Sequence, residues 1–372
     1  MSSPSRSSSP SSVSCPSSAL PSPDGPRAYG WDEGLEAEFA VHRAHGLIPA
    51  RVVRVDRGHC AVVTADGPAH AATGRWLPEP PCTGDWAALD PGDERREPRL
   101  AALMPRRTAI LRSSAARDSR AQVLAANVDT VLLAVSLAVP LDAGRLERLL
   151  ALAWESGATP VVVLTQADRA EDPSEAVTEA TAAAPGVDVV LTSAVTGEGV
   201  DVLTALAGGT VVLLGASGAG KSTLGNALLG DALLATGEVR AVDGKGRHTT
   251  VTRELIPLPS GGVLIDTPGL RGVGLHDAAE GLEHVFAEIE ELAADCRFGD
   301  CAHEAEPGCA VRAAVESGVL PERRLASYRK LLRENAWAAA RTDARLRAER
   351  EQRWKAITRH QRATYRFRDQ QR

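Results

Sequence analysis

The eight residues GASGAGKS at 215–222 match G-x-x-x-x-G-K-[ST] in full. They follow the apolar run TVVLLG and open the run KSTLGNALLG, so the pattern sits between a strand and a helix. That setting carries the chemistry, against the alternative of a glycine turn that merely joins the two. Gly215, Gly218 and Gly220 let the backbone curl its N–H groups around phosphate oxygens, with Ala216, Ser217 and Ala219 completing the cradle. The helix N-terminus adds its positive dipole end. Lys221 is expected on the β- and γ-phosphates, the Ser222 hydroxyl on Mg2+, and Thr223 beside it.

VLIDTPG at 263–269 is a second apolar strand, and it ends on an acid. Asp266 would emerge next to the phosphate loop and hold Mg2+, while the Gly269 N–H touches the γ-phosphate. Between the two lies GKGRHTT at 244–250, placed where a switch segment offers a threonine hydroxyl to the metal. Thr249 and Thr250 both qualify, and a plain turn before a Thr-rich strand is the other reading. Leu270, directly after DTPG, cannot hydrogen-bond a water. His248 is therefore a candidate for positioning it, although in isolation a solvent-facing loop histidine is the stronger reading.

Reading a guanine base requires a carboxylate that accepts from N1–H and N2–H2. VVVLTQAD gives a strand followed by the loop Thr165, Gln166, Ala167, Asp168. A bidentate acceptor at Asp168 discriminates because the wrong base leaves it buried and unpaired. TSAVTGEG at 192–199 adds Ser193 and Ala194, whose backbone can approach the base's O6. In the usual order the phosphate loop comes first and the base loops last. Here the base loops at 165 and 192 precede the phosphate loop at 215, as in a circularly permuted domain.

CRFGDCAHEAEPGC spaces Cys296, Cys301, His303 and Cys309 as C-x4-C-x-H-x5-C. Three thiolates and one imidazole make a closed tetrahedral set for one structural Zn2+. Cys15, Cys60 and Cys82 have no ligand neighbours in sequence and read as free thiols.

Distinct elements must hold these groups. VDTVLLAVSL, TPVVVLTQAD, VDVVLTSA and GTVVLLGASG alternate with helical stretches such as RLERLLALAWESG. Continuous Val/Leu strands between helices predict a parallel sheet covered on both faces. From 47 to about 104, short β-rich pieces broken by RGH, DGP and PEPPCTG predict a small antiparallel barrel of the OB type. After about 275 the chain reads as helical, with PERRLASYRKLLRE placing Leu325, Tyr328 and Leu332 on one face. Residues 1–27 are Ser/Pro-rich and read as disordered.

Of 372 residues, 44% are hydrophobic but only 3% aromatic, which suits α/β layers packed on small side chains. The longest apolar run, VLLAVSLAVPL, is about half the ~20 residues that span a bilayer. No secretory h-region is present in the first 20 residues, so the cytoplasm is the expected compartment. The net charge of −6 splits into +7 for residues 341–372 and −13 for the rest. A basic tail on an acidic body suits a polyanionic partner, or a solvated helix face.

Together the segments QVLAANVDTVLL, TSAVTGEGVDVL, GASGAGKSTLGNALLG, GKGRHTTVTREL, LIDTPGLR, FGDCAHEAEPGCAV and SYRKLLRE closely resemble the ribosome small subunit-dependent GTPase A family, over about 45–340. The resemblance implies an OB-fold domain at 45–112, a circularly permuted P-loop GTPase domain at 118–275 and a helical zinc-binding domain at 276–340, with a basic tail at 341–372. It implies GTP hydrolysis to GDP and phosphate, stimulated by the small ribosomal subunit during its late maturation, and contact with rRNA. The candidates for RNA contact are Arg51, Arg54, Arg57, Arg75, Arg106, Arg107 and Arg112, and the tail. No membrane partner and a monomer are expected. One departure stands out: the family usually carries lysine where this chain has Gln166. Loss of that packing predicts GTP binding weaker by ~1 kcal/mol. A ribosome- or RNA-binding module that uses nucleotide as a switch with negligible turnover is the alternative function, and an ATPase a third.

Overall fold

The computed structural model describes residues 25–112, 122–230, 234, 253–266 and 278–342. The chain opens with a 3-10 turn, Gly25–Tyr29, with Pro26 and Tyr29 buried, so residues 25–27 are structured and do not belong to a disordered tail. Helix α1, Glu33–Ala44, follows; Asp32 caps it by accepting the Leu35 N–H at 2.7 Å, and Leu35 and Phe39, four apart, form its buried face. No helix was expected here.

Strands β1 (Ile48–Val55), β2 (His59–Thr64), β3 (Gly67–Ala72), β4 (Trp86–Asp90) and β5 (Arg99–Leu103) close a barrel in the order β1-β2-β3-β5-β4. It is antiparallel except where β3 meets β5 in parallel, at Ala72 and Arg99. That junction closes the sheet and removes its edges. A two-stranded ribbon, β6 (Ala109–Arg112) with β7 (Gln122–Ala126), leads out of the barrel.

The second sheet takes β8 (Thr130–Ser136), β9 (Thr159–Thr165), β10 (Val189–Leu191), β11 (Thr210–Gly215), β12 (Glu254–Pro257) and β13 (Val263–Asp266). Their order is β10-β9-β8-β11-β13-β12, parallel throughout except the edge strand β12. Along each central strand, successive side chains enter opposite layers. Leu132, Val161, Val163, Val211 and Leu213 pack on one face; Val131, Leu133, Val162, Leu164, Val212 and Leu214 pack on the other. Burial on both faces is why these strands are continuously apolar.

Helices α2 (Ala143–Glu155), α3 (Pro173–Ala183), α4 (Val200–Leu206) and α5 (Lys221–Leu229) link the strands. Asp142 caps α2 and Asp172 caps α3, which has Pro173 at its first position. Leu146 and Leu150 of α2 are each 1% exposed and contribute about 2 kcal/mol apiece by burial.

The C-terminal helices are α6 (Ala279–Val285), α7 (Ala287–Ala293), α8 (Ala310–Glu316) and α9 (Glu322–Thr342). On α9, Leu325, Tyr328 and Leu331 are buried, whereas Leu332 is exposed. The expected stripe is correct in its first two members and one residue off in the third. Phe39, Trp86, Leu146, Phe286 and Tyr328 belong to one buried cluster, so the three parts of the chain share a core.

Candidate functional site

The parallel sheet lines up its strand ends. Ala134 lies beside Gly215, Ser136 beside Thr165, and Val212 beside Ile265, so β8, β9, β11 and β13 finish at one edge of the sheet. Ligands in such sheets bind outside the carboxyl ends of the strands. The chain puts its motifs there.

The phosphate loop turns out of β11 at Gly215, where φ is 151° and a Cβ would strike the Ala134 carbonyl. It turns into α5 at Gly220, where φ is 73°. Neither position admits another residue without strain. Lys221, in the first turn of α5, puts its ammonium on the Gly215 and Ala216 carbonyl oxygens at 3.0 and 2.6 Å, so its charge stays at the mouth of the loop. Ser222 is half-buried beside it, Thr223 is exposed, and Ala219 is buried within the loop.

The base loop packs directly onto this cradle. The Thr165 hydroxyl is buried and donates to Ala219 O at 2.9 Å. Gln166 has a left-handed backbone, φ 61°, and its amide nitrogen faces Gly218 O at 3.4 Å. The Ala167 N–H is tied to Thr192 O. Asp168 accepts the Ser193 hydroxyl at 2.6 Å, and Ser193 is fully buried. Ala194 follows, half-buried. Two loops far apart in sequence thus converge on one carboxylate and hold it beside the phosphate loop.

Asp266 ends β13 directly opposite Glu254 of β12. Burial, reinforced by the Glu254 charge, pushes its carboxyl above the usual carboxylate range. A half-buried carboxyl that resists ionisation is relieved by a cation, so this position suits Mg2+. His248, Thr249, Thr250, Gly269 and Leu270 lie outside the described residues.

Among the C-terminal helices, Cys296, Cys301, His303 and Cys309 bring their ligand atoms within 4.8 Å of one another. Cys296 Sγ is 3.8 Å from Cys309 Sγ, and His303 Nδ1 is 3.6 and 3.4 Å from the two sulfurs. A tetrahedral Zn2+ with ordinary bond lengths separates two sulfurs by about 3.8 Å and a sulfur from a nitrogen by about 3.6 Å. The set fits zinc. Burial holds the His303 imidazole below its ordinary range, in the neutral form that ligates. Glu306 folds its carboxylate under the loop and accepts the N–H groups of Ala302, Glu304 and Ala305. Cys60 and Cys82 are buried free thiols, each pushed up to about 12 chiefly by burial.

The RNA candidates divide. Arg57 and Arg75 are exposed. Arg54 pairs with Asp56, and Arg107 with Asp32. Arg106 is mostly buried and bidentate to Asp85, so it is a structural residue. Arg51 is 1% exposed, stacked on Trp86, and donates to Tyr29 O, Asn127 O and Thr210 Oγ1. It joins the barrel to the phosphate-loop strand and is unavailable to a ligand. The alternating strand position of Arg51 gave no sign of this, because its partners lie 76 and 159 residues away. Ser136 was also missed, although the β8–β9 register places it beside the base loop. Glu147, fully buried in α2, reads in sequence as an ordinary surface acid.

A phosphate loop on a central parallel strand, with the candidate base-reading carboxylate supplied from strands that precede it in the chain, is the arrangement of a circularly permuted GTPase. Residues 103–276 match the family model described as RsgA GTPase. The chain is 60% identical over 330 residues to the small ribosomal subunit biogenesis GTPase RsgA of Streptomyces coelicolor, a match covering 87% of this chain and 90% of that one. It belongs to the RsgA family. Among solved structures, YjeQ from Thermotoga maritima superposes with a TM-score of 0.58 at 26% identity, covering 78% of this chain and 98% of that one. YloQ, a circularly permuted GTPase, shares the fold with a TM-score of 0.56 at 24% identity, covering 79% of this chain and 96% of that one.

Proposed function

We propose that this GTPase binds and hydrolyses GTP in the cytoplasm and couples turnover to maturation of the small ribosomal subunit. The observation that carries the reading is the Asp168 carboxylate, fixed by Ser193 at 2.6 Å beside the phosphate loop. Adenine offers an acceptor where guanine offers N1–H, and would leave that carboxylate unpaired. Gly215 to Thr223 would cradle the phosphates, with Lys221 swinging from its carbonyl partners to the β- and γ-oxygens. Ser222 and Asp266, with Thr249 or Thr250, would hold Mg2+, which neutralises charge developing on the transferred phosphoryl group. His248 would position the water and Gly269 the γ-phosphate. Without a side chain at 270 that can do so, intrinsic turnover is slow.

The ribosomal partner is supported by the name of the Streptomyces relative and by the +7 tail, which suits RNA phosphates. Arg57 and Arg75 are exposed barrel candidates for contact with the same RNA. The domains would be the barrel at 45–112, the GTPase at 118–275 and the zinc-binding unit at 276–340. Among the described residues, no helix is long and apolar enough to cross a membrane.

Phosphate release from GTP and from ATP, with and without small ribosomal subunits and at two salt concentrations, tests the reading. The expected result is stimulation confined to GTP and weakened by salt. Binding of GTP with no stimulated release would instead favour a nucleotide switch of negligible turnover.

A further inference from the structure

We infer that Gln166 and Ser136 form a neutral clamp that fixes the base loop on the phosphate loop and so sets guanine-nucleotide affinity. The inference rests on the reading of this site as a GTP site. Gln166 keeps a left-handed backbone, a conformation disfavoured for a residue with a Cβ, so its surroundings must hold it there. Its side chain is where they do so. The Ser136 hydroxyl donates to Gln166 Oε1 at 2.5 Å, and the other end of the amide donates to Gly218 O at 3.4 Å.

The polarity of this chain of bonds is fixed at both ends. The Ala138 N–H donates to Ser136 Oγ, which leaves the hydroxyl proton for Gln166. Gly218 O can only accept, so the amide must present its nitrogen there. Next to it, Thr165 grips Ala219 O. Two consecutive base-loop side chains therefore hold two consecutive phosphate-loop carbonyls.

Asp168 lies two residues beyond Gln166, in the turn Ala167–Arg169, so the same clamp sets where the base-reading carboxylate stands. A site organised in advance loses less ordering entropy on binding. Lysine at 166 would reach Gly218 O but has no acceptor for the Ser136 proton. Gln166 is then the suited residue opposite this serine, and the weaker binding expected from sequence does not follow.

The test is a double-mutant cycle on the full-length protein, read as Kd for GDP and GTP by titration calorimetry. Gln166→Ala and Ser136→Ala are each expected to weaken binding about fivefold, the scale of one hydrogen bond. The double variant should be no weaker than Gln166→Ala alone. Gln166→Lys should weaken binding in the native background and have no effect where Ser136 is already Ala, a dependence that general damage to the fold would not produce. A Gln166→Ala affinity within twofold of native, or effects of the two substitutions that multiply, would overturn the clamp alone. A native chain with no affinity for either nucleotide would overturn the GTP-site reading and the clamp with it.

Discussion

At Asp266 the sheet sets two carboxylates across from each other, a costly arrangement in the absence of a cation. Its proton is held more tightly in the folded chain than in the unfolded one. The stability this group contributes is therefore present below the ordinary carboxylate range and is lost as pH rises through the raised value. Asp266→Asn removes the penalty. In nucleotide-free protein, the melting temperature of the variant relative to native should rise as pH increases above the ordinary carboxylate range. Mg2+-dependent GTP hydrolysis should meanwhile fall at least tenfold, roughly the least that losing a metal-holding carboxylate removes. A melting difference that does not change with pH would show that neither burial nor the Glu254 charge raises the Asp266 carboxyl. The contrasting case is Lys221, whose charge already has two carbonyl partners and must exchange them for phosphate.

The helices and strands explain what was legible in advance. The phosphate loop and the Cys/His set each lie within one short stretch, so their spacing already named the residues that stand together. The sheet strands were legible because burial on both faces leaves an unbroken Val/Leu run. Helix α1 carried its own signal, Asp32 as cap with Leu35 and Phe39 four apart, yet was passed over beside a Ser/Pro-rich stretch. Buried ionic groups were the least legible, since partners such as Arg324 and Glu147 are 177 residues apart. At this scale the zinc loop is the sharpest target, because Cys309 both joins the ligand set and caps α8, with the Arg312 N–H on its sulfur. Cys309→Ala should drop bound zinc from one per chain to near none by atomic emission and lower the melting temperature by about 5 °C. Retention of zinc with an unchanged melting point would remove Cys309 from the set.

Across the whole molecule, Glu147 joins the nucleotide-binding part to the C-terminal helices. It is fully buried in α2 and accepts from Arg323 and Arg324 of α9 at 2.8 Å, and from Ser327. Arg324 continues to Glu288 and to Val285 O, and stacks on Phe286. Arg148 and Glu334 add a third ion pair between the same two helices. Glu147→Gln keeps the shape but leaves the buried Arg324 guanidinium with Glu288 as its remaining carboxylate partner, and should cost about 2 kcal/mol in urea denaturation. A loss under 1 kcal/mol would mean that water entering at Arg323 compensates. Near the far end of the same junction, Asn335 accepts the Ala278 N–H, so α9 also fixes the residue at which α6 begins.

With α9 fixed to α2 in this way, the metal loop and the nucleotide pocket cannot melt independently. Any ligand that binds only the folded chain stabilises everything that unfolds with it. Zinc and guanine nucleotide, bound at separate sites, would each raise the temperature at which the other's site is lost, by mass action and without any change of shape. A cell short of either one would be left with less of the whole protein.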